Sequence, residues 1–310
     1  MRNFFAESLY NKIKKKRNII LLSADIGNRL FDKIKKDFPK NFLNCGIAEP
    51  NMVTFASGMA KEGFLPVCYT ITNFLIYKSI EQIRNDAIYN NNKIILVGTG
   101  SGISYNHLGP THHSLEDIGL LNNLPKIKIL SPSDNNDLEE HLVHSLHSGN
   151  KQTTYIRVGK KNEPIINKLK PKINKINYVL NNRSKSALIF TGPLFECIAG
   201  ASKKFKKDNI KIDIINLHQI KPLTVSMLRV LARYDFIYTL EEHFPNTGIK
   251  GILSSNLSDK KVIIKSINNR NEFVSHLGSR SYVRKKFGIS ENKIYKIIAN
   301  DTIKNRDRPR

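Results

Sequence analysis

Residues 41–59 read NFLNCGIAEPNMVTFASGM. A short apolar run ends at Gly46, and Glu49 stands in the turn after it. Pro50 opens a helical pattern in which Met52, Ala56 and Met59 share a face, while Ser57 and Gly58 leave room for close packing. A carboxyl group at a strand-to-helix turn with apolar sequence on both sides loses part of its hydration, which lets it hold or exchange a proton near neutral pH. Taken alone, the spacing fits a helix-capping acid at least as well, because acidic residues favour that end of the helix dipole.

The same strand-then-helix unit recurs outward from this stretch. An amphipathic first helix (Phe4, Phe5, Leu9, Ile13) precedes the continuous apolar run NIILLS at 18–23, as expected of a strand buried on both faces. FLPVCYTI (64–71), KIILVGTG (93–100), KIKIL (126–130) and TTYIRVGK (153–160) read as further strands. Helices are expected between them, notably over residues 73–91 and in the segment opened by Ser133 and Asp134 as candidate caps. After a Lys- and Asn-rich connection the alternation resumes with SALIFTG (186–192), IKIDIINL (210–217), DFIYTLEE (235–242) and KKVIIKSI (260–267). The expectation is an α/β chain of two consecutive domains, each a mostly parallel sheet flanked by helices: residues 1–165, a connection over 166–184, and residues 185–310.

At 310 residues and 40% apolar content, two packed domains are easily supported. No apolar run is long enough to span a membrane, and the N-terminus lacks the uninterrupted apolar core of a secretory signal. Cys45, Cys68 and Cys197 are few, far apart and set in apolar sequence, which points to reduced thiols and a cytoplasmic location. The formal charge of +24 is spread along the chain, and runs such as KKFKKD (203–208) read as solvated helix faces. No aromatic and basic platform for nucleic acid accompanies it. Attraction of anionic substrates such as sugar phosphates is the expected consequence.

In an open α/β sheet, ligands sit at the carboxyl ends of the strands, where Glu49, the 71–77 stretch and the 98–113 loop all fall. GIAEPNM (46–52), TNFLIYKSIEQIRND (72–86), GPTHHSLEDI (109–118), LPKIKILSPSD (124–134) and TLEEH (239–243), in this order, resemble the transketolase family over nearly the whole chain. The resemblance is to its pyrimidine-binding domain followed by its C-terminal domain. It implies thiamine diphosphate as cofactor and Glu49 as the glutamate that activates it. A carboxyl group against the pyrimidine ring nitrogen promotes the tautomer whose exocyclic nitrogen can take the thiazolium proton. Ile71, Phe74 and Tyr77 match the wall around the aminopyrimidine, with Ile71 where an aromatic is common. His112 matches a histidine facing the reacting carbon; His113 beside it also resembles the β-subunits of 2-oxoacid dehydrogenases.

The departures bear on substrate. Leu108 replaces an acidic residue that helps select hydroxyl stereochemistry, a loop histidine aligns near Gly100, and the substrate-phosphate arginine aligns near Lys160, which keeps the charge but not the bidentate fork. His107, with no obvious counterpart, is a candidate replacement contact. The GDG sequence with which the family holds Mg²⁺ and the diphosphate does not occur here, and GTGSG (98–102) lacks the residues of a phosphate loop. The resemblance therefore implies the C-terminal subunit of a split transketolase. A partner subunit would carry the diphosphate and Mg²⁺ ligands, in an assembly with two copies of each chain. The expected activity is transfer of a two-carbon ketol unit between sugar or sugar-phosphate substrates. The alternatives are a 1-deoxyxylulose-5-phosphate synthase-like or 2-oxoacid dehydrogenase β-type subunit, and a non-catalytic scaffold.

Overall fold

The computed structural model describes residues 1–147, 149, 151–160, 163–166, 171–268 and 270–306. The strands are β1 (Ile19–Ser23), β2 (Phe42–Asn44), β3 (Leu65–Ile71), β4 (Ile95–Thr99), β5 (Lys128–Leu130) and β6 (Thr154–Val158) in the first half. In the second half come β7 (Asn177–Leu180), β8 (Ser186–Phe190), β9 (Asp213–Asn216), β10 (Gln219–Lys221), β11 (Phe236–Leu240) and β12 (Ile263–Ser266). The first sheet has the order β10-β5-β6-β4-β3-β1-β2 and the second β12-β11-β8-β9-β7. All pairings are parallel except β10 on β5 and β7 on β9. The apolar runs explain β1 and β4, which are buried at every position as sheets covered on both faces require; β6 is equally buried although it carries Arg157.

Two elements depart from the expected division. β7 lies inside the stretch read as a connection, so the second sheet begins within it. β10 comes from the second half yet closes the edge of the first sheet, because the chain turns back after β9 and pairs with β5. Such short antiparallel edge strands leave little periodic signal. The helix expected over 73–91 is α-helical from Thr72 to Gln82 and widens into a π-helix over Ile83–Tyr89. Gly58 does not serve close packing; it faces open space, and the helix packs through Met52, Val53, Ala56 and Ser57. Of the cysteines, Cys68 is fully buried and Cys45 and Cys197 are partly buried, all as free thiols.

One apolar core runs between the two sheets, joining Leu22, Met52, Ala56 and Ile76 of the first half to Ile189, Ile215 and Ile249 of the second. At the rim it is fastened by charge. Arg157 on β6, 1% exposed, donates from Nε to Asp117 Oδ2 at 2.7 Å and from Nη2 to the carbonyls of Ser114 and Glu242 at 2.9 Å each. Tyr155 donates to the same Asp117 oxygen at 2.7 Å. Burial by itself would raise the Asp117 carboxyl, but Arg157, His243 and the hydrogen bonds outweigh it and hold it below the usual aspartate value. The pair's contribution is therefore present at neutral pH and fades as pH falls through that depressed value. Among the described residues no helix is long and apolar enough to cross a membrane.

Removing one member of a buried pair strands the other's charge. Arg157→Met is expected to lower the unfolding free energy by about 3–5 kcal/mol, measured as a shift in denaturant midpoint. An unchanged midpoint would show that the two sheets are held without it.

Candidate active site

Glu49 is the first residue of the Glu49–Lys61 helix, with Ala48 in the N-cap position. The turn before it is shaped by Asn44, whose Oδ1 accepts from Gly46 N at 3.0 Å and Asp25 N at 3.1 Å, while its Nδ2 donates to Asp25 Oδ1 at 2.9 Å. This ties the loops leaving β1 and β2 together. Glu49 is 2% exposed, and its carboxylate lies 3.2 Å from Lys78 Nζ instead of bonding back to the helix start as a cap would.

From Lys78 a row of contacts runs along the rim. The Lys78 ammonium sits 4.6 Å over the Phe74 ring, whose centroid lies 5.1 Å from that of His112 in an edge-on arrangement. His112 is 5.9 Å from Tyr105, and Lys160 Nζ lies 4.2 Å over the Tyr105 ring. Four expected site residues, Glu49, Phe74, His112 and Lys160, are thus brought into one line. Their loops are set by β-strand ends: Phe74 follows β3, His112 follows β4 and Lys160 follows β6. Asn73 Nδ2 donates to the Thr111 carbonyl and so fixes the His112 loop to the Phe74 helix. Phe74 is half-buried while its neighbours Leu75 and Ile76 form the core, as a wall residue should be.

Burial first, then the charge of Lys160, lowers the His112 imidazole below its usual value, so it is neutral at neutral pH. His112 Nδ1 lies 3.0 Å from Thr111 Oγ1, which leaves Nε2 as the other polar end of the ring.

The remaining expected residues stand apart from this line. Ile71 is the half-buried N-cap residue of the Thr72–Gln82 helix. Tyr77 points its hydroxyl at Glu116, and burial, then Asp117 and Glu116, push the phenol well up, so that it remains a donor. With Asn73, His113, Leu120 and Phe273 it lines a neighbouring pocket of about 450 Å³. His113 is buried there, and burial lowers its imidazole despite the nearby Glu242 carboxylate. His107 is exposed, with Nε2 3.1 Å from Asn106 Nδ2. Leu108 is 50% exposed.

Residues 1–164 match the transketolase pyrimidine-binding domain, and residues 177–294 match the transketolase C-terminal domain. The chain belongs to the transketolase family. It is 27% identical to an apulose-4-phosphate transketolase subunit from Actinobacillus succinogenes, over 95% of this chain and 96% of that protein. A putative transketolase C-terminal section of Methanocaldococcus jannaschii is 26% identical over 97% and 96% of the two chains. The 1-deoxy-D-xylulose-5-phosphate synthase of Methylacidiphilum infernorum is 27% identical, but the match spans 92% of this chain and only 46% of the synthase. Among solved structures, a split-gene transketolase described as an inactive β4 tetramer has a TM-score of 0.84 at 20% identity over 96% of each chain. It carries the pyrimidine-binding and C-terminal domains of a thiamine-diphosphate-dependent transferase of transketolase type.

Lys78 and Tyr105 complete the transketolase rim but escaped the sequence reading. Tyr105 had a signal at Gly100. Gly100 has φ +79°, and a Cβ built on it would lie 1.9 Å from the Tyr105 ring. The tyrosine ring fills the space that a side chain at position 100 would need. Gly102, at φ +63°, likewise has no room for a Cβ, because Glu242 of the second domain lies against it.

That contact is one of several by which the second domain grips the His112 loop. Glu242 Oε2 accepts from Ile103 N at 3.2 Å, and Oε1 accepts from Arg284 Nε at 2.5 Å. Burial would raise Glu242, but Arg284 and Arg280 overcome it and hold the carboxyl at about 2. Arg280 also pairs with Glu163, just beyond Lys160, at 2.8 Å. Asn106 donates to the Gly278 carbonyl, and Gly278 N donates back to the Asn106 carbonyl at 3.3 Å.

Asn106→Ala should cost about 0.5–1.5 kcal/mol of stability by loss of its side-chain bond. In the reconstituted enzyme it should raise KM for the sugar several-fold at unchanged thiamine diphosphate affinity. An unchanged KM would show that the tether does not set the loop.

Proposed function

We propose that this chain and a partner subunit together transfer a two-carbon ketol unit between sugar-phosphate substrates. The observation that carries this reading is the line Glu49–Lys78–Phe74–His112–Tyr105–Lys160, which sets a buried carboxylate, an aromatic face, a neutral imidazole and a cation in sequence along one rim. The donor set fits an aminopyrimidine, since it offers a carboxylate for a ring nitrogen and an aromatic face for the ring plane. The cation already at both groups, the Lys78 ammonium, stands in for a protonated ring nitrogen. Among the described residues no group of three or more His, Cys, Asp or Glu is placed to hold a metal ion. In this reading Mg²⁺ and the diphosphate belong to the partner, in a complex with two copies of each chain.

The bound cofactor would supply the carbon nucleophile that ketol transfer needs. Glu49 would hold or move a proton at the pyrimidine ring nitrogen, sheltered from water by its burial. His112, neutral at working pH, would accept or relay a proton at a substrate oxygen through Nε2. Lys160 would hold an anionic substrate group. The net charge of +24 would raise the local concentration of phosphorylated sugars. His107, exposed beside Asn106, is a candidate for the distal end of the substrate. Ile71 and Tyr77 would border the pyrimidine. A reducing cytoplasmic setting accords with the free thiols.

Glu49→Gln in the reconstituted complex is expected to lower ketol transfer by about 10²- to 10⁴-fold. Retained activity would favour a scaffold, and CO₂ release from pyruvate by the parent complex would favour a 2-oxoacid donor. Lys160→Met is expected to raise KM for the phosphorylated sugar and to move the acid limb of the pH profile upward. The sign follows because the Lys160 charge helps keep the His112 pKa low; without it the imidazole protonates at a higher pH. An acid limb that stays put would show that His112 is not the group being titrated.

A further inference from the structure

Lys78 lies one helical turn beyond Phe74, and the two contacts of its ammonium meet at the heart of the site. It is 3.2 Å from Glu49 Oε2 and 4.6 Å from the Phe74 ring centroid. A ring nitrogen bonded to a carboxylate lies about 2.7–3.2 Å from its oxygen. A ring stacked on an aromatic face is offset, with centroids about 4.5–7 Å apart. The ammonium satisfies the carboxylate and the aromatic face at once, so it and a pyrimidine nitrogen compete for one position.

We propose that Lys78 is the resident occupant of the pyrimidine seat, pairing with Glu49 until thiamine diphosphate displaces it toward solvent. The proposal rests on the cofactor reading given above. It accounts for how a carboxylate only 2% exposed is satisfied in the chain before cofactor arrives, because an unpaired buried carboxylate is strongly disfavoured. It also accounts for an exit route. The Lys78 side chain is 47% exposed and flexible, so its charged end can swing into water. The next residue, Ser79, leaves helical geometry at φ −113° and ψ 15°, a kink immediately beyond Lys78. A pair with one partner half in water is weak, so the competition amounts to no more than about fivefold in cofactor affinity.

The test is binding of thiamine diphosphate with Mg²⁺ to the reconstituted complex by calorimetry, with Lys78→Met and Lys78→Arg beside the parent. Lys78→Met removes the competing charge and should lower the cofactor Kd about three- to fivefold. The same variant of the free chain should melt earlier, because Glu49 loses its partner. Lys78→Arg keeps a cation and should bind within about twofold of the parent. A purely structural lysine would give the earlier melting without the tighter binding. Binding by Lys78→Met equal to or weaker than the parent overturns the proposal and leaves the cofactor reading standing, as does Lys78→Arg binding as tightly as Lys78→Met. Absence of binding by parent and variants alike overturns both.

Discussion

The buried guanidinium of Arg157 is the junction on which the rim depends. It lies on β6, three residues before Lys160, and satisfies at once Asp117, the carbonyl two residues beyond His112, and the carbonyl of Glu242 in the second domain. A strand, the active-site loop and the neighbouring domain thereby share one cation. Its position explains why the second sheet approaches the rim of the first with the carboxyl ends of its strands. It also explains why the tolerance there is small, since a buried charge deprived of any one partner has no water to turn to.

Around that junction the second domain works as a frame for the site. Glu242 and Arg280 span from the His112 loop to the segment following Lys160, so the imidazole and the Lys160 cation are held from the same side. None of these residues belongs to the line from Glu49 to Lys160, and their part is to position it. Across the site the charges pair in turn: Lys78 with Glu49, Arg157 with Asp117, Arg284 with Glu242. Each of these three buried carboxylates thus has a cation beside it.

Much of this was legible in the sequence. The continuous apolar runs of β1 and β4 gave the parallel sheet, since strands covered on both faces read as near-continuous apolar runs. The turn at Glu49, the Phe74 helix and the His112 loop were located because strand ends and motifs coincide. What escaped were elements whose role lies in pairing and not in pattern. β7 and β10 are short antiparallel edges, and β10 crosses to the other domain's sheet. Lys78 carries no signal of its own, because nothing in a one-dimensional pattern places it against a carboxylate from another helix. Tyr105 was hidden for a related reason: only the three-dimensional packing at Gly100 gives it the space.

The most direct measurement is native mass spectrometry of this chain purified from its own cells, with the retained small molecules identified. The expected result is a stoichiometric complex with a second polypeptide that carries a GDG sequence and a downstream asparagine, retaining thiamine diphosphate. Recovery of the chain by itself, with neither such a partner nor the cofactor, would contradict the assignment of this rim to a split transketolase active site.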